Sequence, residues 1–391
     1  QALIYQANIN NKEPFRKIKF LRDKIFETHT PEQVEAVGIK VYKGTASFIN
    51  NNQIKVNETT LYGDKFVIAT GSSPFVPPIE GIENTNFLTN QNFFEQDSLP
   101  QSLVVIGGGP IGIEMACALL KLGTKVTIVE MQDHIMPRDD KELSVMLQNK
   151  MQQDGAQIHV STKVIKLSNG VVTCEDKQGH RFNIEADKIL VATGRKPNIE
   201  DLDLDKVGIE HNNKGIVVND YLQTSQNNIY ACGDVVGPYQ FSHMAEYQAI
   251  TAMRNAFFPL NKKVDYSNRI WITFSDPEFA AMGTLEGSRI YRVHYGDIDR
   301  GTVDEATFGI LKVACDSRGN ILGASILGAR AGELIHELQL AKTYNIKLHK
   351  LDSVIHAYPS YSDLVKRAAR MCRLDIYNKN FVIKILKRFF L

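Results

Sequence analysis

The sequence predicts an α/β fold with a separate α+β domain at its C-terminal end. Two observations predict the α/β part: short unbroken apolar runs, typical of strands buried in a parallel sheet, and a glycine-rich turn between one such run and a helical stretch. A third observation predicts the α+β part, because from Val264 onward several antiparallel strand patterns precede two helical ones. With 391 residues the chain is long enough for two or three domains.

The N-terminal part is expected to form helices and then a small antiparallel sheet. Through residues 1–45 apolar side chains recur at helical spacing. Residues 37–69 form short alternating segments between glycine and asparagine turn signals, a pattern that predicts a meander leading into a buried strand over 65–69. A proline-rich connector follows and separates this part from the next.

The clearest motif lies within residues 103–130. An apolar run over 103–106 predicts a buried strand, and three glycines follow it in the spacing GxGxxG: Gly107, Gly109 and Gly112. In such a turn the first glycine permits the change from strand to helix, and the second lets the backbone approach a pyrophosphate. The third lets the helix pack closely against the strand, so that its N-terminal N–H groups point at the phosphates.

A second strand, over 125–129, is expected to carry Glu130 at its carboxyl end. This carboxylate lies 18 residues after Gly112, where a dinucleotide fingerprint places the acceptor for the adenosine ribose hydroxyls. It would repel a 2′-phosphate, so NAD(H) is favoured over NADP(H). Residues 103–130 thus combine a strand, a glycine turn, a helix, a second strand and an acidic residue. This combination predicts a Rossmann-like dinucleotide-binding domain. The alternative is a glycine-rich turn with no ligand role.

Two buried strands end in the same three residues, Ala-Thr-Gly, at 69–71 and 192–194. Small residues at a strand end let the chain pass close to a bound dinucleotide, so Thr70, Gly71 and Gly194 are candidate cofactor-binding residues. The alternative is two ordinary boundaries between strand and turn. Besides the glycine motif, the elements expected between these turns are a helix over 140–154 and strands over 156–159, 164–167, 171–175, 181–184 and 188–191.

A further apolar strand ends in Gly233 and Asp234. A carboxylate beside a glycine, with no side chain to block approach, is suited to binding a sugar-like polyol. The helix predicted over 241–256 would present its N-terminal N–H groups to the same cleft. The alternative for Asp234 is a helix N-cap or a turn residue.

The C-terminal part shows no nucleotide fingerprint. Its predicted strands are 269–274, 280–284, 288–295, 307–316 and 321–327, and its predicted helices are 331–343 and 362–373. The final residues, 378–391, would place apolar side chains on one helical stripe and basic side chains opposite it. Docking of this tail on a partner subunit is favoured over contact with a membrane interface.

Composition argues against several classes of function. The net charge of +1 creates no overall field that would recruit nucleic acid. No apolar stretch approaches the roughly 20 residues of a membrane-spanning helix, and no secretory signal opens the chain. The cysteines are Cys117, Cys174, Cys232, Cys315 and Cys372. Their wide spacing fits neither a CxxC pair nor a metal knuckle, so we expect no metal site and reduced thiols in a cytoplasmic protein.

Taken together, these motifs resemble those of the pyridine nucleotide-disulfide oxidoreductases, in the group of lipoamide dehydrogenase, mercuric reductase and soluble transhydrogenase. The motifs that carry the resemblance are ATGSSP at 69–74, GGGPIGIE at 107–114, ATGRKPN at 192–198, TSQNNIYACGD at 224–234, FSHMAEYQA at 241–249, GARAGELIHELQLA at 328–341 and HAYPSYSD at 356–363. The resemblance implies an FAD-binding domain split around an inserted NAD-binding domain, followed by a dimerisation domain. The implied boundaries are 1–97 and 198–263 for the two FAD-binding parts, 98–197 for the NAD-binding domain and 264–391 for the dimerisation domain.

The resemblance also implies cofactors and roles. It implies a homodimer that binds FAD and NAD(H) and passes a hydride from NADH to the flavin, which then reduces an acceptor, either a small molecule or a metal ion. Asp234 resembles the acid that binds the flavin ribityl chain. Glu114 resembles the acid near the nicotinamide. The positions that begin the helix facing the flavin pyrimidine oxygen, where negative charge collects on reduction, are His243, Met244 and Ala245.

The sequence departs from the family at its N-terminal end. Family members bind the FAD pyrophosphate through a first GxGxxG, and the helix after it carries a CxxxxC redox pair. Both should precede Gln1, and neither is present in the sequence. The alternative function is therefore a truncated NAD(H)-binding homodimer without redox turnover.

A second departure concerns the C-terminal motif. Disulfide-reducing members have a His-Pro pair and a Glu five residues after the His, but the aligned residues here are Tyr358 and Asp363, with His356 two residues early. A phenol with a pKa of about 10 is a poor proton shuttle at neutral pH, so lipoamide reduction is not expected. Tyrosine at this position resembles mercuric reductases and soluble transhydrogenases, in which it would reach across the dimer. His356 is interpreted as a surface or interface residue.

Overall fold

The computed structural model describes residues 2–8, 13–168 and 170–379. The chain divides into two compact units. The first unit combines Gln1–Phe15, Pro78–Ala192 and Ser267–Leu391, and the second combines Arg16–Pro77 and Thr193–Tyr266. The first unit thus holds both the glycine turn and the C-terminal sheet.

The elements of the described residues follow the predicted order. The helices are α1 (Ala2–Asn8), α2 (Pro14–Phe26), α3 (Pro31–Ala36), α4 (Pro110–Lys121), α5 (Lys141–Gln153), α6 (Ser242–Phe257), α7 (Asp299–Val303), α8 (Ala331–Thr343) and α9 (Asp363–Lys379). The strands are β1 (Ala46–Asn50), β2 (Gln53–Val56), β3 (Thr59–Tyr62), β4 (Phe66–Ile68), β5 (Ser72–Pro74), β6 (Ser102–Ile106), β7 (Lys125–Val129), β8 (Gln157–His159), β9 (Thr162–Ser168), β10 (Val171–Asp176), β11 (Arg181–Glu185), β12 (Lys188–Val191), β13 (Arg195–Pro197), β14 (His211–Asn212), β15 (Gly215–Ile216), β16 (Ile229–Ala231), β17 (Ile270–Thr273), β18 (Glu278–Gly283), β19 (Arg289–His294), β20 (Ile310–Cys315) and β21 (Ile321–Gly328).

A parallel sheet in the order β12, β6, β7, β8 organises the first unit. Val104 and Val105 of β6 are buried, as the unbroken apolar run predicts for a strand covered on both faces. Ile106 pairs with Val129 on one side and with Val191 on the other. The carboxyl ends of three strands therefore lie side by side. From β6 the chain continues to β7, its neighbour on one side, whereas β12 is the neighbour of β6 on the other side. Sheets in α/β proteins bind ligands where the strand order reverses in this way.

Helix α4 follows β6 almost directly. Pro110 occupies its first position, where a residue without an N–H loses no hydrogen bond. Ile113 and Leu119 are buried and belong to its apolar face. The helix ends at Lys121, and Gly123 follows with a φ of +89°, the left-handed conformation typical of a residue just past a helix. Gly123 is thus the signal in the sequence for the end of this helix.

The C-terminal part of the first unit is an antiparallel sheet in the order β17, β18, β21, β20, β19. Helix α8 packs on β18 and β21, and helix α9 packs on β19 and β20. The predicted α+β arrangement is confirmed. The strand predicted over 307–316 begins later, at Ile310, because Gly309 adopts a φ of +131° and turns the chain just before it.

Buried polar contacts join the parallel sheet region to the C-terminal sheet within the first unit. Lys312 of β20 is 4% exposed, and its Nζ lies 2.7 Å from Asp140 Oδ2 and 2.9 Å from Glu142 Oε2. The indole N–H of Trp271 donates to Asp139 Oδ1 at 2.6 Å, and burial raises the pKa of this carboxyl. These contacts tie residues that were predicted as two domains into one compact unit.

The second unit brings two strand ends together. Strands β4 and β16 are parallel, with Ile68 paired with Ala231. Thr70 and Asp234, which follow these strands, therefore lie at the same edge. The predicted antiparallel meander is confirmed as the sheet β1, β2, β3, and Phe48 of β1 packs in the buried core beneath.

The Lys312 contacts predict a large effect on stability. We expect Lys312→Met to lower the free energy of unfolding by about 3 kcal/mol, because it leaves Asp140, whose side chain is only 13% exposed, without its cation. The matched control is Lys166→Met, which removes an exposed pair with Glu80 and should cost less than about 1 kcal/mol. Urea unfolding monitored by circular dichroism measures both. Equal losses of unfolding free energy in the two variants would contradict the stabilising role of the Lys312 contacts.

Candidate nucleotide-binding sites

The glycine turn between β6 and α4 has the geometry that a phosphate site requires. Gly107 has a φ of +107°, which favours glycine. A Cβ on Gly112 would lie 2.2 Å from the Gly107 carbonyl oxygen, so no side chain fits there. A Cβ on Gly109, in contrast, would meet nothing within 4 Å. The side of the turn at Gly109 is therefore open to a ligand, next to the first turn of α4, whose N–H groups have no partner within the helix.

Glu130 lies against the same turn. Its side chain is buried, with the residue 8% exposed, and its Oε2 accepts a hydrogen bond from the Gly108 N–H at 2.6 Å. Its Oε1 accepts from the Gln132 N–H at 2.7 Å. A carboxylate has about four acceptor positions, so each oxygen can still accept a ribose hydroxyl. Glu130 thus holds the turn in place, a structural role that the sequence did not indicate.

These features fit an adenosine diphosphate group. The open backbone at Gly109 and the N-terminal end of α4 suit the two phosphates. The acidic side chain at the end of β7 suits the ribose hydroxyls and opposes a 2′-phosphate.

The two Ala-Thr-Gly turns bind each other in the second unit. Asn198 connects them: its Nδ2 donates to the Thr70 carbonyl at 2.9 Å, and its carbonyl accepts from Thr70 Oγ1 at 2.7 Å. Strands β5 and β13 pair directly after the turns, and the Phe75 N–H donates to the Gly194 carbonyl at 2.9 Å. Gly71 has a φ of +68° and Gly194 a φ of +134°, and a Cβ on either would meet nothing within 4 Å. The turns therefore form one rigid element with open glycine backbones.

Asp234 is fixed by two residues that the sequence analysis missed. Its Oδ2 accepts from Ser72 Oγ at 2.6 Å and lies 3.3 Å from Arg195 Nε. Arg195 also donates from Nη2 to the Ser72 carbonyl at 2.7 Å. Both contacts use Oδ2 of Asp234. Among the described residues, none is seen to bond to Oδ1, so this oxygen can accept from a ligand hydroxyl. The signal was present, since Ser72 and Arg195 belong to the motifs ATGSSP and ATGRKPN.

Helix α6 packs on the turn before Asp234. The Gly233 N–H donates to Gln248 Oε1 at 2.7 Å, and a Cβ on Gly233 would come within 3.3 Å of Ala245. At the start of α6 the N–H groups of Met244 and Ala245 both donate to the Phe241 carbonyl. His243 lies one residue closer to the start of the helix. Met244 and Ala245 therefore form part of the first turn of α6, whose N-terminal end carries partial positive charge.

Glu114 lies in the first unit, on α4. Its Oε1 accepts from the Phe274 N–H at 2.9 Å, so the side chain connects α4 to the strand end of β17. Burial raises the pKa of this carboxyl, and the bond from Phe274 opposes that shift.

The C-terminal candidates, Tyr358 and Asp363, have separate partners. Tyr358 is 78% exposed and donates to Asp299 Oδ2 at 2.5 Å. This bond is the main reason why the pKa of the phenol lies above its ordinary value. Asp363, the first residue of α9, accepts from Arg367 Nε at 2.7 Å. The structure therefore does not join Tyr358 and Asp363 by a hydrogen bond.

His356, which was interpreted as a surface or interface residue, is held by contacts within its own chain. Its side chain is 7% exposed, with Nε2 lying 2.8 Å from Glu337 Oε1 on α8 and Nδ1 lying 3.0 Å from the Val354 carbonyl. The imidazole thus anchors the segment before Tyr358 to α8. Both ring nitrogens therefore have partners within this chain.

Other predicted features can be located only in part. The amphipathic stretch of the tail lies almost entirely outside the described residues, which end at 379. Within the described part of the chain, no helix combines the length and the apolar character needed to cross a membrane. Among residues 2–8, 13–168 and 170–379, no group of three His, Cys, Asp or Glu side chains is placed to hold a metal ion.

Comparison with protein families and known proteins gives consistent matches. A family model described as pyridine nucleotide-disulphide oxidoreductase matches residues 4–253, and the model of its dimerisation domain matches residues 270–369. The mercuric reductase of Staphylococcus aureus is 32% identical over 88% of this chain and 65% of its own length. The dihydrolipoyl dehydrogenase of Bacillus subtilis is 31% identical over 84% of this chain and 75% of its own length. The chain therefore spans less than two thirds of that mercuric reductase.

Solved structures give the same fold. The Escherichia coli protein described as a HOCl-induced flavoprotein disulfide reductase, RclA, in its Cu(II) complex, superimposes with a TM-score of 0.85 at 26% identity, covering 95% of this chain and 88% of that one. LpdA of Mycobacterium tuberculosis superimposes with a TM-score of 0.85 at 23% identity, with the same coverage, and shows the shared fold alone.

The two glycines of the turn predict opposite effects. Gly112→Ala should lower the free energy of unfolding by about 1–3 kcal/mol, because its methyl group meets a carbonyl oxygen. Gly109→Ala should leave stability unchanged, since its methyl group enters open space, but should weaken NADH binding by about tenfold or more. Thermal unfolding and titration of NADH fluorescence measure the two quantities. Unchanged NADH binding by the folded Gly109→Ala variant would contradict the ligand role of this turn.

Proposed function

Because this chain belongs to the pyridine nucleotide-disulphide oxidoreductase family, we propose that it binds NAD(H) and FAD and passes a hydride from NADH through the flavin to an acceptor. The observation that carries this proposal is the open glycine turn at the N-terminal end of α4 with Glu130 beside it. The residues that support the proposal all lie in this chain, which spans 65% of the length of the Staphylococcus aureus mercuric reductase.

The first unit supplies the nucleotide site. The turn from Gly107 to Gly112 holds the phosphates through backbone N–H groups and the positive end of α4. Glu130 accepts from the ribose hydroxyls and disfavours a 2′-phosphate, which makes NAD(H) the preferred nucleotide. Glu114, half-buried and bonded to the Phe274 N–H, is proposed to lie near the nicotinamide.

The second unit supplies residues for the flavin. The bound flavin would take up a hydride and pass on two electrons, chemistry that no side chain provides. Asp234, oriented by Ser72 and Arg195, binds ribityl hydroxyls through its remaining oxygen. The N-terminal end of α6, beginning near His243, places positive potential where a reduced flavin gathers negative charge. Thr70, Gly71 and Gly194 let the backbone approach the cofactor closely.

The acceptor site is proposed to involve the C-terminal part of a homodimer. Tyr358 is exposed, and its bond to Asp299 raises the pKa of the phenol, so it acts as a hydrogen-bonding group and not as a proton shuttle near neutral pH. Asp363 holds Arg367 at the start of α9. The acceptor is then a small molecule or a metal ion rather than lipoamide. The five cysteines are buried and none forms a disulfide, which fits a cytoplasmic protein.

A second candidate function is an NAD(H)-binding homodimer without redox turnover. The observation that favours it is that this sequence carries a single GxGxxG, at Gly107 to Gly112, which is assigned to NAD(H). The residues proposed for FAD would contact its ribityl and flavin parts. None of them is proposed to contact the adenosine diphosphate half of FAD.

Reconstitution with FAD distinguishes the two functions. We expect the purified chain, incubated with FAD and desalted, to keep a flavin absorbance that anaerobic NADH bleaches. Asp234→Asn should weaken FAD retention by about tenfold, because it removes the charged acceptor for the ribityl hydroxyls. The control Asp220→Asn alters an exposed pair with Lys263 in the same unit and should retain FAD normally.

One result would contradict the first function, and another would contradict the role proposed for Asp234. A wild-type chain that binds NADH but stays colourless after FAD addition would support the second function instead. Equal FAD retention by the Asp234→Asn variant and the wild type would remove Asp234 from the flavin site.

A further inference from the structure

Two cysteines of the C-terminal part of the chain lie outside both proposed cofactor sites. Cys315 is the last residue of β20 and Cys372 lies in α9. Both are fully buried, and both belong to one apolar core. Helix α9 packs on β20, and the two thiols are close enough that each is the largest influence on the pKa of the other. Residues 57 positions apart in sequence are thus brought together as a thiol pair.

Polar groups surround this pair in an otherwise apolar core. Arg289 of β19 forms an ion pair with Asp375 of α9 at 2.6 Å, and Tyr291 Oη lies 3.1 Å from Asp375 Oδ2. Tyr291 and the backbone N–H of His349 also contact the Cys372 sulfur. Hydrogen-bond donors and a guanidinium therefore face Cys372 from several elements.

These surroundings make the two thiols unequal. The hydrogen bond from Cys315, together with Tyr291, the His349 N–H and the Arg289 charge, lowers the pKa of Cys372 to about 7. The pKa of Cys315 is raised, first because its thiol donates to Cys372 and also because it is buried. A thiolate beside a protonated thiol is the arrangement in which one cysteine attacks and the other resolves.

The other cysteines have no such environment. Burial raises the pKa of Cys117 to about 12 and that of Cys174 to about 11, and it also raises the pKa of Cys232. The Cys174 thiol contacts the Val172 carbonyl at 3.9 Å. These three thiols are buried core residues.

We propose that Cys315 and Cys372 form an oxidisable dithiol, which a hydroperoxide converts into a disulfide linking β20 to α9. The Cys372 thiolate attacks one peroxide oxygen, the O–O bond breaks, and the leaving oxygen takes a proton, so that Cys372 becomes a sulfenic acid. The Cys315 sulfur then attacks the Cys372 sulfur, an S–S bond forms, the S–O bond breaks, and water leaves with the Cys315 proton. The two thiols lose two electrons and the peroxide gains them.

The proposal is independent of the cofactor sites. Since both sulfurs are buried, the reagent reaches them when α9 opens locally, and oxidation then fastens α9 to the sheet. Helix α9 starts at Asp363, directly after the segment that carries Tyr358. The disulfide would therefore fix the helix that follows the proposed acceptor segment.

The direct test uses the wild-type chain. The folded protein is treated with hydrogen peroxide, free thiols are alkylated under denaturing conditions, and the peptides are mapped by mass spectrometry without reduction. We expect a linked pair of peptides containing Cys315 and Cys372, lighter by two hydrogen atoms than their sum, while Cys117, Cys174 and Cys232 remain alkylated. Three results would overturn the proposal: five alkylated cysteines, links that involve the other cysteines, or oxygen added to Cys372 while Cys315 is alkylated.

Variants separate a specific pair from general oxidation. Cys315→Ser and Cys372→Ser should each abolish the linked peptides, whereas Cys174→Ser, at another buried position, should leave the yield unchanged. Tyr291→Phe removes the hydroxyl group that lowers the pKa of the Cys372 thiol, so it should shift the pH at which oxidation becomes fast to higher values. A Cys174→Ser variant that loses the link would contradict the proposal. If a serine variant does not fold, the wild-type peptide map alone decides.

Discussion

The close contact between helix α4 and the end of strand β6 is the constraint on which the rest of the first unit depends. A side chain at Gly112 would come within 2.2 Å of the Gly107 carbonyl oxygen, so the helix can approach the strand only through glycine. That approach sets the N-terminal end of α4 at the carboxyl edge of the parallel sheet. Glu130, delivered to the same edge by β7, then bonds to the Gly108 N–H and holds the turn. The open backbone at Gly109 is the result.

A second theme is that polar side chains at the proposed sites also satisfy the backbone around them. Glu130 accepts from two backbone N–H groups, Glu114 accepts from the Phe274 N–H, and Gln248 accepts from the Gly233 N–H. In the second unit Asn198 binds the Thr70 turn through both its side chain and its backbone. A buried N–H without a partner is costly, so these residues fix the shape of each turn before any ligand binds. The same bonds leave the glycine backbones exposed.

Local patterns in the sequence predicted most of the fold. The apolar run of β6, the glycine spacing and the end of α4 at Gly123 depend on neighbouring residues, and the structure confirms these elements. Contacts between distant residues were not predictable in this way. Arg195 meets Asp234 across 39 positions, and Ser72 meets it across 162. The approach of Lys312 to Asp140, 172 positions away, joins regions that were predicted as separate domains. Nothing near His356 in sequence indicated its partner Glu337, 19 positions away.

The central claim is that the turn from Gly107 to Gly112, with Glu130 beside it, binds the adenosine diphosphate half of NAD(H). Isothermal titration calorimetry of the purified chain with NADH tests it most directly. The account predicts saturable binding at one site per chain, competition by ADP-ribose, and weaker binding of NADPH because its 2′-phosphate meets the Glu130 carboxylate. The absence of saturable NADH binding by the folded chain, or NADPH binding as tight as NADH binding, would contradict it.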